Sequence, residues 1–182
     1  LTISDGGVMC FSYNGELYTF NEGEEPKKIN IKIASTRQNL ARETVSISSG
    51  ISEMQISSNG KEFVFVKRGE VFVSSVDGGT TKRITNTPEQ ERSVSFSPDG
   101  RSILYTSERE GSWNIYEVSL KDKEEPYFFT STLLEEKALV KTELAEFQPV
   151  YSPDGKKIAY LEERTTLKVL DLASKKTEIV LP

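Results

Sequence analysis

Ser97-Pro98-Asp99-Gly100-Arg101-Ser102-Ile103-Leu104-Tyr105 recurs as Ser152-Pro153-Asp154-Gly155-Lys156-Lys157-Ile158-Ala159-Tyr160, and in looser form as Ser57-Ser58-Asn59-Gly60-Lys61-Glu62-Phe63-Val64-Phe65. The formula is a turn followed by a strand. Proline presets φ for the second position of a type I turn, Asp or Asn suits the third, and Gly takes the left-handed conformation that closes a bulged hairpin. Asp99 and Asp154 would pass in isolation for metal ligands or catalytic acids; recurring inside a turn formula, they read as turn formers. The copies stand 40 and 55 residues apart, a repeat of roughly 40–45 residues with one insertion.

Working outward, strands flank each turn. Glu53–Ser57, Ser93–Ser97 and Phe147–Ser152 precede it, and Glu62–Lys67, Ser102–Ser107 and Lys157–Leu161 follow it, rich in Ile, Val, Phe and Tyr. Third strands are expected at Glu70–Val76, Asn114–Leu120 and Thr166–Leu172. Fourth strands are expected at Lys82–Thr85, Tyr127–Thr130 and Thr177–Leu181. Four short antiparallel strands repeated at this period make the blades of a β-propeller. The fold class is therefore all-β, with three full blades at 51–86, 92–130 and 147–182.

At the N-terminus, Val8–Tyr13 and Glu16–Phe20 form a hairpin across Asn14-Gly15, with Lys27–Ile33 as a last strand. This 1–33 unit reads as a partial blade whose innermost strand would precede Leu1. The chain is expected to be a piece of a longer protein, and its propeller open or incomplete. Two segments break the rhythm. Ala34–Gly50 is a long polar connection. Ser131–Glu146 is the insertion, where Thr132 with Glu135 three residues on imitates a capping box and Leu133 to Lys141 is expected as a short helix.

Composition narrows function. There is no histidine among the 182 residues. That removes imidazole acid–base chemistry, Ser-His-Asp and Cys-His arrangements and the commonest transition-metal ligand. No catalytic residue, metal ligand or cofactor is assigned. The lone cysteine, Cys10, between Met9 and Phe11, reads as a small buried residue. Paired glutamates such as Glu124-Glu125 and Glu135-Glu136 sit among lysines and read as solvated surface. With 23 Lys+Arg against 28 Asp+Glu the net charge is −5, and no basic block exists, so nucleic acid is not an expected partner. No run of about 18 apolar residues spans a membrane. Trp113, beside the Arg109-Glu110-Gly111-Ser112 turn, and Arg68, in the equivalent turn one blade earlier, stand at one end of the blades. Arg68, Arg109 and Trp113 are the candidate binding residues, with packing between blades the competing reading for Trp113.

The Ser-Pro-Asp-Gly-Lys/Arg units resemble the blades of TolB, of tricorn-type proteases and of prolyl-oligopeptidase propellers. Two stretches narrow the resemblance: Phe65-Val66-Lys67-Arg68-Gly69-Glu70-Val71-Phe72-Val73 with Gly78-Gly79 and Arg83-Ile84-Thr85-Asn86-Thr87, and Ser107-Glu108-Arg109-Glu110-Gly111-Ser112-Trp113-Asn114-Ile115-Tyr116. Together they look like the N-terminal propeller of a bacterial tricorn-like serine protease. Asn59 and Ser58 depart from the usual Asp and Pro, and Phe96 and Tyr151 stand where Trp often precedes the turn. The resemblance implies a non-catalytic part of a serine peptidase that gates or selects peptide substrates or serves assembly. It implies peptides, proteins and the parent's own downstream peptidase domains as partners, and an exported, periplasmic setting. The alternative is a TolB-like protein-interaction propeller of the cell envelope. No catalytic residue carries over, because the family's catalytic Ser and His belong to a domain this chain lacks. An open propeller would also expose blade faces through which copies can self-associate.

Overall fold

The computed structural model describes residues 2–13, 16–30 and 49–182. They form four four-stranded antiparallel sheets, none closed on itself, each a simple up-and-down meander. These are propeller blades, and the all-β expectation holds. The chain divides into a unit at Leu1–Ser46 and a unit at Ile47–Pro182. The expected turn at Asn14-Gly15 and connection at 34–50 lie, wholly or for the most part, outside the described residues.

The first unit contains β1 (Thr2–Ile3), β2 (Met9–Tyr13), β3 (Glu16–Phe20) and β4 (Lys27–Lys28). β1 pairs with β2 through Thr2↔Cys10 and Ile3↔Met9. The strand expected to be missing is thus present, in only two residues, too short to leave a pattern in the sequence. Phe11 stacks on Tyr18 and meets Phe20 edge-on. Cys10 is half-buried rather than buried.

The second unit holds three sheets. The first comprises β5 (Ile51–Ile56), β6 (Glu62–Lys67), β7 (Glu70–Ser75) and β8 (Thr81–Arg83). The second comprises β9 (Glu91–Phe96), β10 (Ser102–Ser107), β11 (Asn114–Leu120) and β12 (Leu134–Val140). The third comprises β13 (Glu146–Tyr151), β14 (Lys157–Glu162), β15 (Thr166–Asp171) and β16 (Thr177–Leu181). The middle sheet is buried on both faces. Ile103, Tyr105, Tyr116 and Val118 pack on Val64, Val66, Val71 and Val73 of the first sheet. Leu104 and Ile115 pack on Ile158, Tyr160 and Leu170 of the third. Each fully buried aliphatic or aromatic side chain contributes about 1.5–3 kcal/mol, so these two layers hold the unit together.

The repeated turn behaves as its residues dictate. In each copy the side-chain oxygen of Asn59, Asp99 or Asp154 accepts the hydroxyl of the serine two residues back, at 2.8, 2.5 and 2.6 Å. It also accepts the backbone N–H two residues on, at 3.0, 3.0 and 3.1 Å. Gly60, Gly100 and Gly155 take φ of 70°, 72° and 70°. A Cβ on Gly155 would lie 3.7 Å from Pro98 Cδ, so successive turns also touch. The turn aspartates are thereby structural. Ser97 is buried and its hydroxyl also accepts Ser102 N–H at 2.9 Å. Ser97→Ala is expected to cost about 1 kcal/mol, read as a lower urea midpoint with unchanged slope.

Two expectations for the middle sheet are corrected. Its fourth strand is Leu134–Val140, not Tyr127–Thr130, and the expected helix at Leu133 to Lys141 is this strand, pairing from Leu120↔Leu134 to Ile115↔Val140. Phe128 is fully buried against Phe96, and Phe129 N–H donates to Glu62 Oε1 at 3.1 Å. The Tyr127–Thr130 segment therefore plugs the core rather than completing a ladder. The apparent cap fails because Thr132 gives both its N–H and its hydroxyl to Glu125, at 2.9 and 3.2 Å, not to Glu135.

Candidate functional site

The turns β6–β7, β10–β11 and β14–β15 lie at the end of the blades opposite the Ser-Pro-Asp-Gly turns. Each first strand starts at this end, and each carries a bulge there. Ser93 and Gln148, 55 residues apart like the turns, have φ of 57° and 51°, and the ladder register shifts beside both. A bulge re-aims the neighbouring side chain, and the neighbours are Arg92 and Phe147. The donors freed by the first bulge are recaptured by Glu53, whose Oε2 accepts Ser93 and Val94 N–H at 2.5 and 3.3 Å.

The re-aimed side chains meet Trp113. The Arg92 guanidinium lies 5.3 Å from the Trp113 ring centroid. Trp113 and Phe147 are 6.3 Å apart with planes tilted 38°. The Arg164 guanidinium lies 4.4 Å from the Phe147 centroid. The result is a row, Arg92–Trp113–Phe147–Arg164, running across two sheets. Both arginines are exposed and both rings half-buried. Among the described residues neither arginine makes an ion pair.

Arg164 is held in place against backbone preference. It and Glu163 both have left-handed φ, 63° and 50°, in a turn without the Asn or Gly that favours it; each such residue costs on the order of 1 kcal/mol. Glu163 anchors the turn, its N–H donating to Ala145 O at 2.8 Å and its Oε1 accepting Ala145 N–H at 2.6 Å. Strain of this kind collects at working surfaces.

The three sequence candidates fall differently. Trp113 is the centre of the row, packing between sheets while keeping part of its ring at the surface. Arg68 is exposed in the β6–β7 turn with φ 51°. The next residue, Gly69, sits so close to Gln90 that a Cβ would lie 3.2 Å from its Cγ. Gln90 in turn accepts Arg92 Nη2 at 3.1 Å, so Arg68 borders the row. Arg109 points into its own blade. It donates to Glu136 through Nη1 and Nη2 at 2.8 and 2.9 Å, to Tyr105 Oη at 3.1 Å and to Ser107 Oγ at 3.1 Å. Its guanidinium also lies 4.5 Å from the Tyr116 ring centroid and 3.7 Å from buried Glu91. Arg109 holds the Glu136 carboxyl below the usual carboxylate range. Burial and the bond to Glu136 push the Tyr105 phenol far up.

Sequence reasoning missed Arg92, Phe147 and Arg164. The signal was in the repeat: a 55-residue shift lays Arg109 on Arg164 and Arg92 on Phe147. It also lays Thr87 and Glu91 on Thr142 and Glu146. In both blades the threonine hydroxyl donates to the buried glutamate, at 2.7 and 2.5 Å. The blades then diverge. Glu91 receives Ser107 at 3.0 Å and has Arg109 nearby. Opposite Glu146 stands Glu162, Arg164 is turned out to Phe147, and Glu146 Oε2 has no partner among the described residues. Those residues contain no cluster of three or more His, Cys, Asp or Glu able to hold a metal. None of their helices is long and apolar enough to cross a membrane.

No known family model matches the chain. The Tol-Pal system protein TolB of Bordetella pertussis is 40% identical over 52 residues, 28% of this chain and 12% of that protein. Among solved structures, putative TolB from Agrobacterium tumefaciens superposes with a TM-score of 0.57 at 20% identity, covering 98% of this chain and 59% of that one. TolB from Acinetobacter baumannii gives 0.55 at 19%, covering 98% and 41%. The tricorn protease gives 0.52 at 16%, covering 96% and 20%. The fold is thus that of a TolB-like β-propeller. The chain spans about an eighth of the TolB relative it matches and less than two thirds of each of these solved chains.

Proposed function

We propose that this chain is a non-catalytic propeller segment that binds a peptide or protein at the blade end carrying Arg92, Trp113, Phe147 and Arg164. The observation that carries the reading is the row itself. Two bulges and a strained turn bring cationic and aromatic side chains from two blades to one surface. Aromatic and arginine side chains are the groups that dominate binding energy at protein interfaces. Arg109, in the same turn as Trp113, is consumed within its own blade.

Two finer roles share this surface. The two stretches that resemble a tricorn-like protease support gating or selection of peptides for a peptidase domain encoded further along the parent chain. The local identity to TolB supports a protein-interaction propeller of the cell envelope, and both roles carry an exported, periplasmic setting as their expectation. A parent gene ending without a peptidase domain removes the first role and leaves the second.

The binding reading is tested by selecting a random 12-residue peptide library on the protein and on Trp113→Ala. Trp113 is the single tryptophan, so selected peptides can be titrated by its fluorescence. Peptides that perturb Trp113 and lose at least tenfold in affinity for Phe147→Ala are expected. Binders indifferent to both substitutions would place the interaction elsewhere and defeat the proposal.

A further inference from the structure

We infer that the ligand of the arginine–aromatic row is an acidic peptide segment, its carboxylates bound at the edges of Arg92 and Arg164 and its body lying over Trp113 and Phe147. This rests on the reading of the row as the binding surface and names the chemistry of its occupant. Each guanidinium has one face committed to a ring, at 5.3 Å for Arg92 and 4.4 Å for Arg164. What stays open is the edge, and the edge carries the N–H fork that matches a carboxylate in bidentate fashion. Stacking also restricts the side chains beforehand, which lowers the entropy lost on binding. Of these edges, one bond is already made, Arg92 Nη2 to Gln90 Oε1 at 3.1 Å.

Among the described residues, the neighbouring acids Glu53, Glu108 and Glu163 do not take the remaining positions. Glu53 accepts Ser93 and Val94 N–H, Glu108 accepts Gln90 N–H at 3.3 Å, and Glu163 accepts Ala145 N–H. All three are turned to backbone donors, and among the described residues none pairs with Arg92 or Arg164. The end blade shows the same economy. Arg164 occupies the repeat position of Arg109, yet it is withheld from the buried Glu146 and presented outside, although Glu146 Oε2 has no partner among the described residues. A guanidinium denied to an internal carboxylate and aimed at solvent fits an external carboxylate.

Charge selects peptide over nucleic acid. A phosphate backbone needs several cations along its track, and this row offers two on a chain of net charge −5. A short acidic segment needs only two.

The experiment titrates the protein by Trp113 fluorescence with four probes: a peptide of alternating Glu and Leu, its Gln-for-Glu isostere, its Lys-for-Glu counterpart, and an eight-nucleotide oligothymidylate. The Glu peptide is expected to saturate, to bind at least tenfold more tightly than the Gln isostere, and to weaken at least tenfold between 50 and 500 mM NaCl. Arg92→Gln with Arg164→Gln is expected to reduce its affinity at least tenfold, while Lys156→Gln, on the opposite turn, leaves it unchanged. Equal binding of the Glu and Gln peptides, both weakened at least tenfold in Phe147→Ala, would overturn the acidic ligand and leave the binding surface standing. Absence of any peptide response would overturn both. Oligothymidylate binding as tight as the Glu peptide would overturn the choice of carboxylate. If the double variant unfolds by circular dichroism, the isostere and salt arms on the unaltered protein decide.

Discussion

Arg109→Ala is expected to destabilise the three-sheet unit by about 3 kcal/mol, the low end of the range for breaking a buried ion pair. Arg109 joins four groups of its own blade: Glu136, Tyr105, Ser107 and Glu91. Glu91 is fully buried and has Glu70 nearby, bridged through Thr85, which donates to Glu70 at 2.6 Å and reaches Glu91 at 3.4 Å. Without the guanidinium two carboxylates face each other through one hydroxyl. Tyr105, also fully buried, keeps its bond to Glu136, but the pair loses its counter-charge. The low end is the right one because Glu136 is exposed enough for water to screen its part of the interaction. Arg109→Lys is expected to recover only a small part, since an ammonium cannot make the paired bonds. Urea unfolding followed by far-ultraviolet circular dichroism measures the loss. A value below about 1 kcal/mol would reduce Arg109 to an ordinary surface pair. Peptide binding at Trp113 is expected to survive the substitution under native conditions, which separates this internal clamp from the exposed Arg92 and Arg164.

The contrast between these arginines marks the limit of what one sequence states. The turn formula specified the blades, because its side-chain geometry is local: serine, Asp or Asn, and glycine close the same hydrogen bonds three times. Short alternating strands around each turn were legible for the same reason. Leu134–Val140 was not, because its capping signature was satisfied by Glu125, ten residues before Glu135. Phe128 looked like a strand residue because burial alone does not say whether a backbone pairs. Trp113 and Arg68 drew notice through their place in the hairpin turns, and the proposed row includes the first and borders the second. Arg92 and Phe147 were hidden because a bulge, which leaves only a left-handed Ser93 or Gln148 with no Gly to announce it, decides where they point. Arg164 could be found only by laying one blade on the next.

Between pH 5 and 8 the protein is expected to lose stability as pH rises, and Glu146→Gln is expected to reduce that loss while raising stability at pH 8 by about 1–2 kcal/mol. Burial pushes the Glu146 carboxyl up, opposed by the Thr142 hydroxyl, with Glu162 and Glu163 pushing further up and Lys168 down. Burial likewise raises Glu62 and Glu91. A carboxyl raised in the folded state binds its proton more tightly there than in the unfolded chain. Its contribution is complete below the unfolded value and disappears as pH climbs through the folded one. Carboxyls lowered on folding, such as Glu136 and Asp171, titrate mainly below this window in both states and add little to the slope, and no histidine titrates in it. Glu146 responds most to neutralisation because Oε2 has no hydrogen bond among the described residues to lose. Glu91→Gln is expected to destabilise instead, since it takes a counter-charge from Arg109. Urea midpoints at pH 5, 6.5 and 8 for the protein and both variants decide the matter. A midpoint rising with pH, or a Glu146→Gln variant weaker than its parent at pH 8, would end the argument. If the variant is stronger and still binds peptide, the last blade is less stable than its repeat allows because its arginine serves the surface.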